Sequence, residues 1–386
     1  MNYDVLVTDC ETKHGYAIAW SLQKKGLKVL CHFNKKNSPF FGSVYLRKRF
    51  VLNIRGKNGS AEFLQKLKDL QINVLIPVSN SFVKFVSDNR DTISPCSKIA
   101  IPNSESIEIA QNKRKTFELA EQLGIPAPKT LYQYDGDILK QTTFQYPVVV
   151  KYTDVNQTGV TYCNDFSELW KAVEGSLKDD PNSLPIIQEY VEGFGAGFYA
   201  LYEKGKFLYS FVHRRIHELP ITGGASTFAV SWTHPEVEKY GRKLLDHLNW
   251  HGIAMVEFKV KKDNTVSLME INPKFWGSYE LSEKCGLQFA LNTYNLGCSE
   301  EIEPVKEYPK NVAFRWFFPD LLGRYHRFIL KNRYKQSIEP TVVKPERIYT
   351  DIDFREPIIL LFKVFDFLLR LFLKTPAPHS LIHRKE

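Results

Sequence analysis

The chain has 386 residues, 43% of them hydrophobic and 25% charged, the make-up of a globular protein with a good core and room for two or three subdomains. Its net charge of +9 comes from Lys and Arg that are scattered and not striped, which argues against a nucleic-acid groove and assigns the charge to a phosphate-bearing ligand and to an anionic surface near the C-terminus. Six cysteines (Cys10, Cys31, Cys96, Cys163, Cys285, Cys298) stand far apart, with no C-x-x-C pair and no His at metal-ligand spacing, and read as reduced core thiols.

The opening Met-Asn-Tyr-Asp lacks a basic region followed by a long apolar run, so no signal peptide is expected and the cytoplasm follows. Residues 3–8 read as a buried strand, 14–26 as a helix stopping at Gly26, and 27–31 as the next strand. Further apolar runs at 73–78 and 98–101 alternate with helical segments, a β-α-β rhythm that predicts a doubly wound parallel sheet. After the first strand the chain reads Asp9-Cys10-Glu11-Thr12-Lys13-His14-Gly15, not G-x-G-x-x-G, which argues against a dinucleotide site.

The span 112–124 predicts a helix ended by Gly124, with Pro126 and Pro128 beyond it. Residues 146–151 form an apolar strand ending in Lys151, followed by a loop over 154–159 that holds one glycine, Gly159. Residues 195–202 and 206–213 predict an antiparallel pair around Lys204-Gly205. A basic stretch follows, Phe-Val-His-Arg-Arg-Ile-His, and then Thr222-Gly223-Gly224-Ala225-Ser226. Strict alternation would put His213, Arg215 and His217 on one face, opposite Arg214.

A helix over 235–249 leads to the most informative segment. Met255-Val256-Glu257-Phe258 and Met269-Glu270-Ile271-Asn272 flank a turn-prone Lys-Lys-Asp-Asn, and a hairpin centred on Asp263-Asn264 sets Glu257 opposite Glu270. Like charges directly opposite each other destabilise a sheet, so a divalent cation between them makes sense of the pair. Asn272 projects to the same side by strand period, and Val256, Phe258, Val260, Met269 and Ile271 are left for the core face. Few, hard oxygen ligands suit Mg²⁺ held jointly with phosphate oxygens.

Glu257, then Glu-Ile-Asn-Pro-Lys-Phe-Trp-Gly-Ser from Glu270 to Ser278, resembles the metal-binding hairpin of the ATP-grasp superfamily, in its carbamoyl-phosphate-synthase-like, carboxylate-amine ligase branch. The resemblance covers roughly residues 1–300. It implies an α/β protein with α+β lobes: a Rossmann-like pre-ATP-grasp domain (1–105), a small lobe (106–190), a large lobe with the metal hairpin (191–310) and a helical C-terminal extension (311–386). By motif alignment Lys113, with Lys115 as its rival, and Lys151 would reach the ATP phosphates. Gln188, Glu189 and Val191 would line the adenine hinge, and Glu192 the ribose. Glu257, Glu270 and Asn272 would hold Mg²⁺, with Mn²⁺ as a substitute. Lys274 stands where the family usually has arginine, and would share the transferring charge with Arg215. His213, Thr222, Gly223, Gly224 and Ser226 would surround the acyl phosphate.

The resemblance thus implies an ATP-dependent ligase acting on a small-molecule carboxylate and an amine, with no nucleic acid, and a homodimer as a common arrangement. Two alternatives stay open: phosphorylation of bicarbonate or carbamate, and a non-catalytic ATP-binding regulatory protein. The tail adds a helix over 358–374, nearly all Leu, Phe, Ile and Val, with Lys363, Asp366, Arg370 and Lys374 on one narrow stripe. It is too short and too charged to span a bilayer, and so predicts either docking on the protein or a partner, or a peripheral position on a membrane.

Overall fold

The computed structural model describes residues 2–151, 160–179, 184–219, 224–330 and 344–372. The first sheet carries β1 (Asn2–Val7), β2 (Val29–Phe33), β3 (Arg49–Val51), β4 (Gln71–Ile76) and β5 (Lys98–Ile99) in the order β3-β2-β1-β4-β5, all parallel. Val5, Leu6, Val7, Val74, Leu75 and Ile76 are buried on both faces of it, as the continuous apolar runs require. The helix Lys13–Lys24 begins on Thr12, whose side chain accepts from the Gly15 N–H.

A second sheet of four strands contains β6 (Thr130–Leu131), β7 (Val148–Lys151), β8 (Val160–Cys163) and β9 (Ile186–Glu189), ordered β6-β9-β7-β8. The helix Phe166–Asp179 accompanies it, and Leu139, Val148, Val150, Leu169 and Ile187 form its own small core.

The third sheet is the largest: β10 (Phe194–Glu203), β11 (Lys206–Leu219), β12 (Ala225–Trp232), β13 (Gly252–Val260), β14 (Val266–Asn272), β15 (Val312–Arg315) and β16 (Arg347–Thr350), in the order β14-β13-β10-β11-β12-β15-β16. One face packs Phe198, Val212, Val256 and Phe258 against Leu244 of the helix Pro235–His247 and against Trp250. The other packs Tyr199, Leu201 and Phe211 against Trp276 and Phe289, in one core with Val5, Val7 and Ile76 of the first sheet.

Beyond the span of the resemblance, β15 and β16 extend the large sheet, β16 pairing parallel to β15 at the edge. The segment is also tied to the first domain: the buried Glu356 accepts from Ser43 Oγ (2.5 Å), the Val44 N–H (2.9 Å) and Tyr16 Oη (3.0 Å). The helix Pro357–Phe372 starts there, with Ile359 buried and Phe367 against Phe318, 5.6 Å between ring centroids. All six cysteines are free thiols, four of them buried. Among the described residues no helix is long and apolar enough to cross a membrane.

Candidate active site

Next to the turn β13 and β14 pair one residue out of the expected register: Val260 faces Val266 and Phe258 faces Leu268. The register then shifts, Met269 being the extra residue, and Glu257 faces Glu270 while Met255 faces Asn272. Without this bulge Glu257 would oppose Met269, and the two carboxylates would not meet. Met269 is half-buried outside the core, whereas Leu268 and Ile271 are both buried in it, which corrects the expectation that Met269 lies on the core face. The bulge leaves apolar side chains inside and delivers the acidic pair to the other surface.

The two carboxylates differ in surroundings. Burial would raise Glu270, but the charges of Lys113, Lys274 and Lys151 and the Asn272 amide, 2.7 Å from Oε1, outweigh it and hold the carboxyl below the ordinary glutamate range. Burial raises Glu257 despite Arg215, and the facing Glu270 adds to the rise. Arg215 Nη2 donates to Glu257 Oε1 at 2.5 Å, with Glu218 Oε1 3.5 Å from Nη1. Burial would depress this guanidinium, but Glu257 and Glu218 push it up and keep it charged.

To reach Glu257 on β13, Arg215 on β11 must cross β10, and it crosses where β10 has glycine. Gly197 pairs with His213 on one side and with Glu257 on the other. A Cβ on Gly195 would sit 2.9 Å from Arg215 Cδ, and one on Gly197 2.2 Å from Tyr199 Oη. Tyr199 cannot retreat, being buried and bonded at 2.5 Å to His213 Nε2. Gly197→Ala is therefore expected to cost about 1–3 kcal/mol of stability; an unchanged melting temperature would show that Tyr199 can move.

Lys151 ends β7 with its Nζ 2.7 Å from Gln188 Oε1, and Gln188 Nε2 is held by Thr130 Oγ1 at 2.9 Å. Burial lowers Lys151 to about 8, with Glu270 opposing and Lys113 and Lys259 reinforcing the fall. Lys113 is the first residue of the helix Lys113–Gln122, whose cap Asn112 accepts from the Lys115 N–H at 3.2 Å. Lys115 instead pairs with Glu108 at the surface, so of these two lysines it is Lys113 whose charge is felt at Glu270 and Lys151. Lys274 is lowered by burial, with Glu270 and Glu257 opposing.

At the hinge, the Glu189 N–H donates to the Lys129 carbonyl at 2.9 Å, Val191 is buried, and Lys262 Nζ lies 3.8 Å from Glu192 Oε1. On β11, His213 is wholly buried between Tyr199 and Ser278 Oγ (2.7 Å), and burial together with Arg215 lowers it to about 3. Arg214 lies on the other side, over Phe194 and Trp232. A register shift between Arg215 and His217 breaks the expected alternation, and His217 Nδ1 meets Asp320 at 2.6 Å. The Gly224 carbonyl accepts from Arg215 Nη1 at 3.5 Å, and Ser226 is buried on β12. Thr222, Gly223 and Gly159 lie outside the described residues.

Four contributors escape a reading of the sequence: Glu218 beside Arg215; Thr130 behind Gln188; Lys259, whose Nζ donates to the Gly193 carbonyl at 3.1 Å; and Asn80 of the first domain, 3.5 Å from Asn272 Oδ1. Glu218 depends on the register shifts of β11, and the other three on pairing or packing between segments far apart in the sequence, neither of which leaves a local signal.

No family model matches the chain. An uncharacterized protein of Methanocaldococcus jannaschii, MJ0776, is 24% identical over 214 residues, 54% of this chain. The chain's match spans about half, 52%, of that relative. Among solved structures, the L-amino acid ligase of Bacillus licheniformis superposes with a TM-score of 0.61 at 18% identity, over 79% of this chain and 78% of that one. The biotin carboxylase domain of Hydrogenobacter thermophilus 2-oxoglutarate carboxylase, solved with MgADP, ADP and bicarbonate, gives 0.64 at 12% identity over 81% and 74%. Phosphoribosylglycinamide synthetase of Anaerococcus prevotii gives 0.59 at 14% identity over 80% and 79%. This chain has the ATP-grasp fold. Lys151 from the four-stranded sheet feels the charge of Glu270 and Glu257 from the seven-stranded sheet. The site of this ATP-grasp chain is thus an acidic pair from one hairpin set among basic side chains from three other parts of the chain.

Proposed function

We propose that the protein is an ATP-dependent ligase that activates a small-molecule carboxylate as an acyl phosphate and transfers it to an amine. The observation that carries this reading is the directly opposed pair Glu257 and Glu270, among Lys113, Lys151, Lys274 and Arg215. The fold it shares with an L-amino acid ligase and a MgADP-bound carboxylase supports the same reading.

The donor set fits Mg²⁺. Two carboxylates and the amide oxygen of Asn272 are hard ligands, and among the described residues no cluster of three or more His, Cys, Asp or Glu forms a closed protein cage. A site of this kind leaves coordination positions for phosphate oxygens and water. Glu257, Glu270 and Asn272 would hold the ion, which would supply positive charge to offset that of the ATP phosphates.

The remaining work belongs to the side chains. Lys151, steadied by Gln188, and Lys113 hold the polyphosphate, and Lys274 lies against the transferring group. Arg215, fixed by Glu257 and Glu218, presents its guanidinium edge near Gly224 to the acyl phosphate. The substrate carboxylate attacks the γ-phosphorus and ADP leaves; the amine then attacks the acyl carbon, releasing phosphate and a proton. No protein nucleophile is needed, so catalysis is positioning and electrostatic stabilisation.

The test is Mg²⁺-dependent ADP release with a panel of amino acids and other carboxylates, each with and without amines, with hydroxylamine to trap acyl phosphate as hydroxamate. Hydroxamate formed with one carboxylate establishes the reaction. ADP release dependent on bicarbonate alone replaces it with the bicarbonate-phosphorylating alternative, and MgATP binding without turnover across the panel replaces it with the regulatory one.

A further inference from the structure

The helices Phe317–Leu330 and Pro357–Phe372 lie together, joined by Phe318 against Phe367, and each leaves an apolar row uncovered. Phe354 is 81% exposed, Phe328 79%, Leu361 69% and Phe365 62%, with Phe362 and Leu369 also exposed beside them. Leu361, Phe365 and Leu369 recur every four residues and so form one line on one side of their helix. The helix is not loose: the buried Ile359 holds its inner side, and Lys363 Nζ is bonded to Asp351 Oδ2 at 2.7 Å and to the Asp351 carbonyl at 2.8 Å. The apolar row is therefore presented on a fixed element, and it is far larger than the single exposed side chains of an ordinary surface.

Charge selects what covers it. Residues 311–386 carry fourteen Lys and Arg against eight Asp and Glu, a net +6, so about a fifth of the chain holds two-thirds of its +9. The sequence past the first helix continues Lys331-Asn332-Arg333-Tyr334-Lys335, and past the second comes Lys374. A second copy of the chain would bring the same sign against the same sign, which opposes association. An anionic surface is complementary to both the charge and the apolar row.

We propose that this face docks in the plane of an anionic lipid surface, with Phe328, Phe354, Leu361 and Phe365 entering the headgroup boundary. At 16 residues the helix Pro357–Phe372 is about 24 Å long, short of a bilayer core, and Lys363, Asp366 and Arg370 interrupt it. It therefore lies in the interface. The proposal does not depend on the ligase reading.

The test is sedimentation of the full chain with phosphatidylcholine vesicles, with and without about a third phosphatidylserine. Pelleting is expected with the anionic vesicles alone, weakening as salt is raised, and at least about tenfold weaker for Leu361→Ser/Phe365→Ser. Those side chains are exposed, so an unchanged circular dichroism spectrum and melting temperature should accompany the loss. Failure to pellet, equal pelleting on neutral vesicles, or full binding by the double variant would overturn the proposal. A dimer dispersed by the same double variant, without vesicle binding, would overturn it in favour of a second copy.

Discussion

Glu270→Gln is expected to lower Mg²⁺-dependent ADP formation by about 10²- to 10³-fold with little change in melting temperature. The neutral amide keeps the shape of the side chain and removes the charge that attracts the cation. Nearby, Lys113, Lys151 and Lys274 lose an attractive partner but no direct hydrogen bond that any of them makes to Glu270 in this structure. Glu257→Gln should produce a similar loss of turnover with a different stability signature. Arg215 would lose its 2.5 Å carboxylate partner in a largely enclosed setting, so about 1–3 kcal/mol of stability should go with it. ADP release and thermal melts of the two variants, measured side by side, separate these roles. Wild-type turnover by Glu270→Gln would remove the cation from between the two strands.

The second large effect concerns Lys151. Lys151→Met should cut kcat/KM for ATP by about 10²-fold, because the phosphate contact is lost and Gln188 Oε1 is left without its donor. A pH dependence follows from the same residue. Burial first, then Lys113 and Lys259, bring its folded pKa down to about 8, below the ordinary lysine value, so the ammonium form is present below that pH and lost above it. Since kcat/KM reports the free enzyme, it should fall as pH rises through about 8. Lys151→Arg holds its charge throughout and should flatten that limb. A limb that persists unchanged in Lys151→Arg would assign the titration to another group.

Much of this is legible in the sequence. The β-α-β rhythm of the first hundred residues comes from apolar runs separated by helical periods, and it yields the all-parallel sheet of β1 to β5. The acidic hairpin was legible because the carboxylates, the turn residues and the apolar alternation lie within one short stretch, where strand geometry is nearly independent of the rest of the molecule. The predicted pairing of Glu257 with Glu270 is observed, though by another route: the turn is offset by one residue and the bulge at Met269 restores the pairing. A bulge has weak sequence preferences, and here packing selects it, since only with it do Leu268 and Ile271 both reach the core.

The local pattern alone determined the doubly wound first sheet, the acidic pair, the basic strand end at Lys151 and an apolar C-terminal helix. What the tertiary structure decided was every relation between distant segments. It picked Lys113 over Lys115, sent Arg215 across the Gly195 and Gly197 lane to Glu257, and added Glu218 and Asn80 to the site. It also built β15 and β16 into the large sheet and pinned the tail to the first domain through Glu356. Local patterns record which face of an element is apolar, because burial acts on each element separately. Which charged side chains meet depends on how those elements stack, and a short-range reading of the chain does not contain that information.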